Sequence, residues 1–359
     1  MFGSDQVTST ARIRRAALLA GSLTMVGLAV ATLIATQNGL APSLAASCGV
    51  TTDSRCVETA VRAITERDGV KVAATQLLRF VREHKAMDVE CHRLTHDLGH
   101  VISVKVLDGA EVPPLDDLWI ECGYGLLHGM VGNLPVGMLD GVCSGSGFMS
   151  TAIGECYHAT GHAAWAESES QVVPAIQLCN STFTGAHAEG CRSGVYMKIR
   201  DGYYGSITSD PKFSGEWVVR IARSTCSVID GVVGDPVCVS SFSGLATKIG
   251  GEAVTTFLGW CYSLSGDLPS HCAAAMGMEL VVTSGAEDPA ERLQLCVGVP
   301  GGSLRLERDC LLEGALGVRD LGRSSNEASD LVCKAAGVAG RLDAAEICAS
   351  AKALLTAKR

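Results

Sequence analysis

The sequence predicts an all-α protein, a disulfide-stapled repeat of helical hairpins (α-solenoid-like) that follows an N-terminal transmembrane helix. Three observations predict it. Residues 16–36 form an apolar run without a charge, sixteen cysteines are spread over 359 residues, and eight of them recur with a period in the middle thirties.

The apolar run comes first in the chain. Arg12, Arg14 and Arg15 precede "AALLAGSLTMVGLAVATLIAT". At the helical rise such a run spans a bilayer core, and the arginines hold their own side in the cytoplasm. The reading is therefore a cytoplasmic tail at 1–15, an anchor at 16–36, a linker at 37–55 and an extracytoplasmic domain at 56–359. A cleaved signal peptide is the competing reading, because "APSLAAS" (41–47) offers small residues for cleavage. The run exceeds a usual signal core, which favours the anchor as cell-membrane, single-pass attachment. Cleavage would make the domain secreted, and both readings export it.

Composition agrees with export. No Cys-x₂-Cys pair suits a zinc knuckle, and an even number of cysteines suits pairing in an oxidising compartment. Hydrophobic residues reach 47% with aromatics at only 5%, so the core is built from Ala, Val, Leu and Gly. A net charge of −9 argues against a nucleic-acid or anionic-membrane surface as main partner, and the membrane is expected as a contact only of the single N-terminal helix.

The repeat follows from the cysteines. Cys91, Cys122, Cys156, Cys191, Cys238, Cys272, Cys310 and Cys348 lie 31, 34, 35, 47, 34, 38 and 38 residues apart. Such a period fits a helix–turn–helix unit. Cys143, Cys179, Cys226, Cys261, Cys296 and Cys333 precede the last six of these by 13, 12, 12, 11, 14 and 15 residues. In a hairpin that spacing sets one Cys late in the first helix and the next early in the second, so six staples are expected, each contributing up to roughly 3 kcal/mol. Cys48–Cys56 and Cys91–Cys122 are the expected pairs for the remainder. Glu90, Glu121 and Glu155 each precede a repeat Cys and are expected near helix N-termini, where the macrodipole favours an acid. The 47-residue interval holds "DGYYGSITSDPKFSG" (201–215), a turn-rich insertion expected to project as a binding or tolerated surface loop.

Six of nine histidines fall in the first three repeats. His92 and His96, and His158 and His162, are i, i+4 pairs, and His128 lies at the matching height between them. Residues four apart share a helix face. His92, His96, His128, His158 and His162 are thus expected to converge on one transition-metal site, mono- or dinuclear, for Fe, Cu or Zn, since neutral imidazole suits all three. Met197, at the corresponding place of the next repeat, is a soft donor that would favour copper, or else a gap-filler. His84, His187 and His271 lie outside this register. Asp97 and Glu155 are the candidate proton carriers should the site be catalytic.

Familiar motifs are incomplete. "HRLTH" (92–96) has zincin spacing without the Glu, "HDLGH" (96–100) puts Asp97 where a Glu would stand, and "ECYH" (155–158) has the di-iron Glu-x-x-His form only once. His96-Asp97 resembles the HD pair of HD-domain phosphohydrolases over those two residues alone, and export argues against it. No serine nucleophile motif, P-loop or dinucleotide fingerprint occurs. The expected function is therefore a membrane-anchored extracytoplasmic metal protein, either a metal-dependent enzyme of oxidative or hydrolytic type, a non-catalytic metal binder, or an interaction scaffold.

Overall fold

The computed structural model describes residues 43–49, 53–84, 88–110, 121–144, 150–207, 210, 212–228, 233–282, 288–320, 324–340 and 343–357. The expected tail at 1–15 and anchor at 16–36 lie outside them. Among the described residues no helix is long and apolar enough to cross a membrane, and no strand occurs. The chain divides into two compact units, Met1–Met130 and Val131–Arg359.

The first unit holds α1 (Leu44–Cys48), α2 (Ser54–Asp68), α3 (Val70–Glu83), α4 (Asp88–Leu107) and α5 (Glu121–Val131), at whose end the boundary falls. The stretch expected as linker thus carries a helix. Ser43 caps it by accepting from the Ala46 amide, and the Leu44 amide donates to Gln76 Oε1 on α3 at 3.0 Å. Leu44 itself is buried. Gly69 separates α2 from α3 at φ 90°, a left-handed conformation that glycine adopts without a Cβ penalty. On α3 the buried residues Ala73, Ala74, Leu77, Leu78 and Val81 recur at three- and four-residue steps. That is the apolar stripe of a core-facing helix, and each leucine contributes roughly 1.5–3 kcal/mol by its burial.

The second unit begins with α6 (Val136–Cys143), α7 (Ser150–Glu167), α8 (Val172–Thr182), α9 (Gly185–Tyr204), α10 (Gly215–Cys226), α11 (Pro236–Ser241) and α12 (Ser243–Ile249). It continues with α13 (Gly251–Tyr262), α14 (Leu268–Val282), α15 (Pro289–Leu293), a 3₁₀ turn at Gln294–Cys296, α16 (Leu304–Asp320), α17 (Ser325–Val338) and α18 (Ala344–Ala357). Caps start several of these where the sequence supplies them. Asp235 accepts from the Val237 amide ahead of α11, and Ser324 with Glu327 forms a reciprocal capping box on α17.

All sixteen cysteines are paired. Cys143–Cys156, Cys179–Cys191, Cys226–Cys238, Cys261–Cys272, Cys296–Cys310 and Cys333–Cys348 each join one helix or turn to the next long one, and Cys48–Cys56 and Cys91–Cys122 complete the set. Their Cα–Cα distances run from 4.9 to 5.9 Å, within the reach of a disulfide. The staples are therefore local, each closing the hairpin that carries it.

Glycine decides how the stapled helices stack. A Cβ placed on Gly125 of α5 would strike the Thr95 side chain and the His92 carbonyl of α4, and one on Gly129 would strike the His96 carbonyl. A Cβ on Gly161 of α7 would meet the Cys191 carbonyl of α9, and one on Gly194 the His158 carbonyl. Gly277 of α14 is held the same way against the Cys310 carbonyl of α16. These backbones touch because nothing larger than hydrogen stands between them. The abundant glycine of this chain is thus spent in part on close crossings, which offsets its poor helix propensity.

Two expectations change. Glu155 is sixth in α7, and no acid occupies that helix's first turn, so it sits a turn and a half beyond where the macrodipole is strongest. The stretch 201–215 does not project wholly as a loop. Asp201–Tyr204 complete α9, Ser214 caps α10, and the rings of Tyr203 and Phe213 meet Trp217 edge-on at 5.7 and 5.1 Å. Aromatic surface is costly to leave in water, so these rings fold onto one another.

Candidate functional site

The five histidines expected at one site belong to different units, three to the first and two to the second, and each set is built by its own helix crossing. On α4, His92 and His96 stand four apart with ring centroids 6.2 Å from each other. His128 of α5 approaches His92 at 5.5 Å, edge to face, and is buried. The Cys122 carbonyl accepts a hydrogen bond from His92 Nδ1 at 3.0 Å. A carbonyl can only accept, so the bond places the His92 proton on Nδ1 and the ring lone pair on Nε2. This backbone orientation of one nitrogen is how proteins commonly prepare a histidine whose other nitrogen ligates.

On α7, His158 and His162 are again four apart, with centroids 5.3 Å from each other and rings nearly perpendicular. His162 is buried. His158 Nε2 lies 3.0 Å from the Met197 sulfur of α9, and its Nδ1 lies 3.2 Å from Ser193 Oγ.

The two crossings correspond residue by residue. Gly125 and Gly194 both lie three residues beyond a repeat cysteine, and they abut the carbonyls of His92 and His158 respectively. His92 therefore matches His158, and His96 matches His162. His128 and Met197, each six residues beyond the cysteine of the second helix, hold the same place. The first crossing presents three imidazoles and the second two imidazoles and a thioether. Aligned through Gly161 and Gly277, which abut the Cys191 and Cys310 carbonyls, a third crossing of α14 on α16 carries Ala274, Met278 and Leu316 there. It offers no nitrogen.

Among the described residues no three His, Cys, Asp or Glu side chains are gathered closely enough to hold a metal ion as they stand. Methionine is outside that set, and His158 Nε2 and Met197 Sδ approach to 3.0 Å.

Asp97 lines a different cavity from the one beside His158. Asp97 lies on the side of α4 toward α2, where Arg93 reaches it at 3.3 Å and Glu58 at 3.4 Å. It lines a cavity of about 460 Å³ with Glu58, Arg62, Glu66 and His100. Burial raises its carboxyl above the ordinary range, with Arg93 opposing. Glu155 does not line the cavity beside His158.

That cavity, about 610 Å³, contains what the sequence reading missed. His158, Ser193 and Met197 share its wall with Glu189, Arg200, His271 and Glu279. Arg200 reaches Glu279 at 3.7 Å, and burial pushes the Glu279 carboxyl up while Arg200 opposes. His271, outside the histidine register, is an exposed member of this wall. Its signal in the sequence was only its place one residue before Cys272. Of the other two outliers, His84 stacks on Phe80 at the end of α3, and His187 stacks on Tyr157 at 3.8 Å. The Tyr157 hydroxyl donates to Asp140 at 2.9 Å, and burial with that bond pushes its pKa up to about 12.

No family model, no curated protein and no solved structure matches this chain.

Proposed function

We propose that the chain is a membrane-anchored, exported helical-repeat protein, α-solenoid-like in build, that binds transition metal through its histidines without turnover. The observation that carries the reading is the duplicated crossing. An i, i+4 histidine pair faces a third donor at the corresponding place on the next helix, once in each unit. A packing histidine needs no such repetition. The residues fit the group: neutral imidazole nitrogens suit Zn, Cu and Fe alike, and the carbonyl that holds His92 Nδ1 points the chemistry to Nε2. When bound, such an ion would supply Lewis acidity or a redox couple. The chain's own part is to orient imidazoles and to bury His128 and His162 away from water.

Binding is favoured over catalysis because neither expected proton carrier lines the cavity beside His158. Asp97 is engaged by Arg93 on another face of α4, and Glu155 lies off the cavity wall. Eight disulfides support export. The uncharged run at 16–36 supports the anchor.

Elemental analysis of the purified full-length chain tests the reading. Stoichiometric metal is expected, together with a melting temperature that rises on metal addition, since ligands on separate helices bind only the folded state. His128→Ala and His162→Ala should each lower metal content. Bound metal should be released below roughly pH 6, where imidazole protonates. A chain without metal, whose melting ignores added Zn, Cu and Fe, would refute the proposal.

A further inference from the structure

We infer that His158, His162 and Met197 form a site for cuprous copper, with the adjoining cavity as its open side. The inference rests on the metal-binding reading above and specifies the ion and oxidation state for the second unit.

The donor set points to Cu(I). Thioether is a soft ligand, and its presence with two imidazoles selects the soft monovalent ion over Zn or divalent copper. The three positions are the ones that hold three imidazoles in the first unit, so the exchange of His128 for Met197 changes softness without changing the frame. The geometry is also suitable. His158 Nε2 and Met197 Sδ lie 3.0 Å apart, whereas legs of about 2.0 and 2.3 Å meeting at a trigonal angle would set them about 3.7 Å apart. The opening of about 0.7 Å that this requires is within the reach of a methionine, which has three rotatable bonds and adapts readily. Ser193 Oγ at 3.2 Å from Nδ1 steadies the His158 ring while Nε2 faces the sulfur.

Access is asymmetric. His162 is 6% exposed and lies behind His158, while His158 and Met197 form part of the wall of the 610 Å³ cavity. An ion would therefore enter and leave past the sulfur. Arg200, Glu279, Glu189 and His271 border that route. The paired charges of Arg200 and Glu279 leave little net field to repel a monovalent cation.

The test is an anaerobic titration of the full-length, disulfide-intact chain with Cu(I) against a chromogenic Cu(I) chelator. Wild type should withhold one equivalent that Zn does not displace. Met197→Leu keeps the bulk of the side chain and removes the donor, so it should weaken that equivalent at least tenfold and remove the sulfur scatterer from the copper X-ray absorption spectrum. His128→Ala should leave that equivalent unchanged. Unchanged affinity and spectrum in Met197→Leu would overturn the copper assignment. Zn or divalent copper still lost on His128→Ala would at the same time leave the metal-binding reading standing. Absence of any metal from either unit would overturn both. Melting of the metal-free Met197→Leu chain at the wild-type temperature separates loss of a ligand from loss of the fold.

Discussion

Glu279 shows how one half-buried charge couples the cavity to stability. Its carboxyl is raised first by burial, and Arg200 offsets only part of that cost. A carboxylate whose folded pKa exceeds its unfolded value stabilises the fold through its protonated form. That contribution is fully present below the unfolded pKa and is lost as pH rises through the folded one. Glu279→Gln, neutral at every pH, should therefore be more stable than wild type at pH 8, with the difference vanishing toward roughly pH 4. Urea unfolding at the two pH values measures it, and a difference independent of pH would show that burial of the charge is not what Glu279 contributes. Asp97 follows the same sign, but its side chain is 52% exposed and solvent screens the effect.

At the scale of the helix, glycine has two opposite meanings in this chain. Gly194 touches the backbone of α7, so a methyl there must push two helices apart. Gly154 stands exposed in the interior of the same α7 with nothing within 4 Å. Gly194→Ala should destabilise by about 1–3 kcal/mol through overpacking. Gly154→Ala should stabilise by up to about 1 kcal/mol through helix propensity alone. Thermal unfolding of the two variants side by side checks the pair, and equal effects would mean that α7 and α9 do not meet through glycine. The crossing also explains why His158 and Met197 meet. Their helices are brought within backbone contact, and side chains one turn along the same seam are carried together.

For the whole molecule the staples are the main constraint on the unfolded chain. Each bridge closes a short loop, and the six hairpin bridges separate their cysteines by only 11 to 15 residues. Loops of that length each remove up to roughly 3 kcal/mol of chain entropy from the unfolded state. A core with few aromatic rings benefits accordingly. Non-reducing peptide mapping should join each of these cysteines to its sequence neighbour and find no free thiol. Reductant should lower the melting temperature by many degrees. Bridges between distant hairpins, or a melting curve indifferent to reductant, would contradict the architecture.

Much of this was legible in the residues. The intervals between cysteines contain the hairpins and their staples, because a disulfide across a turn is a local event that depends on spacing alone. The i, i+4 steps of His92–His96 and His158–His162 likewise follow from helix geometry. What the sequence could not settle was which donors meet. Measured from the nearest cysteine, the two histidine pairs are displaced by one residue, at +1 and +5 against +2 and +6, so counting does not align them. The tertiary structure aligns them through Gly125 on the His92 carbonyl and Gly194 on the His158 carbonyl. Within the second unit it set Met197 against His158 and brought His271 to the cavity, and within the first it turned Asp97 toward Arg93. The register of a helix crossing is decided by backbone contact between segments more than thirty residues apart, and no periodicity within either segment contains it.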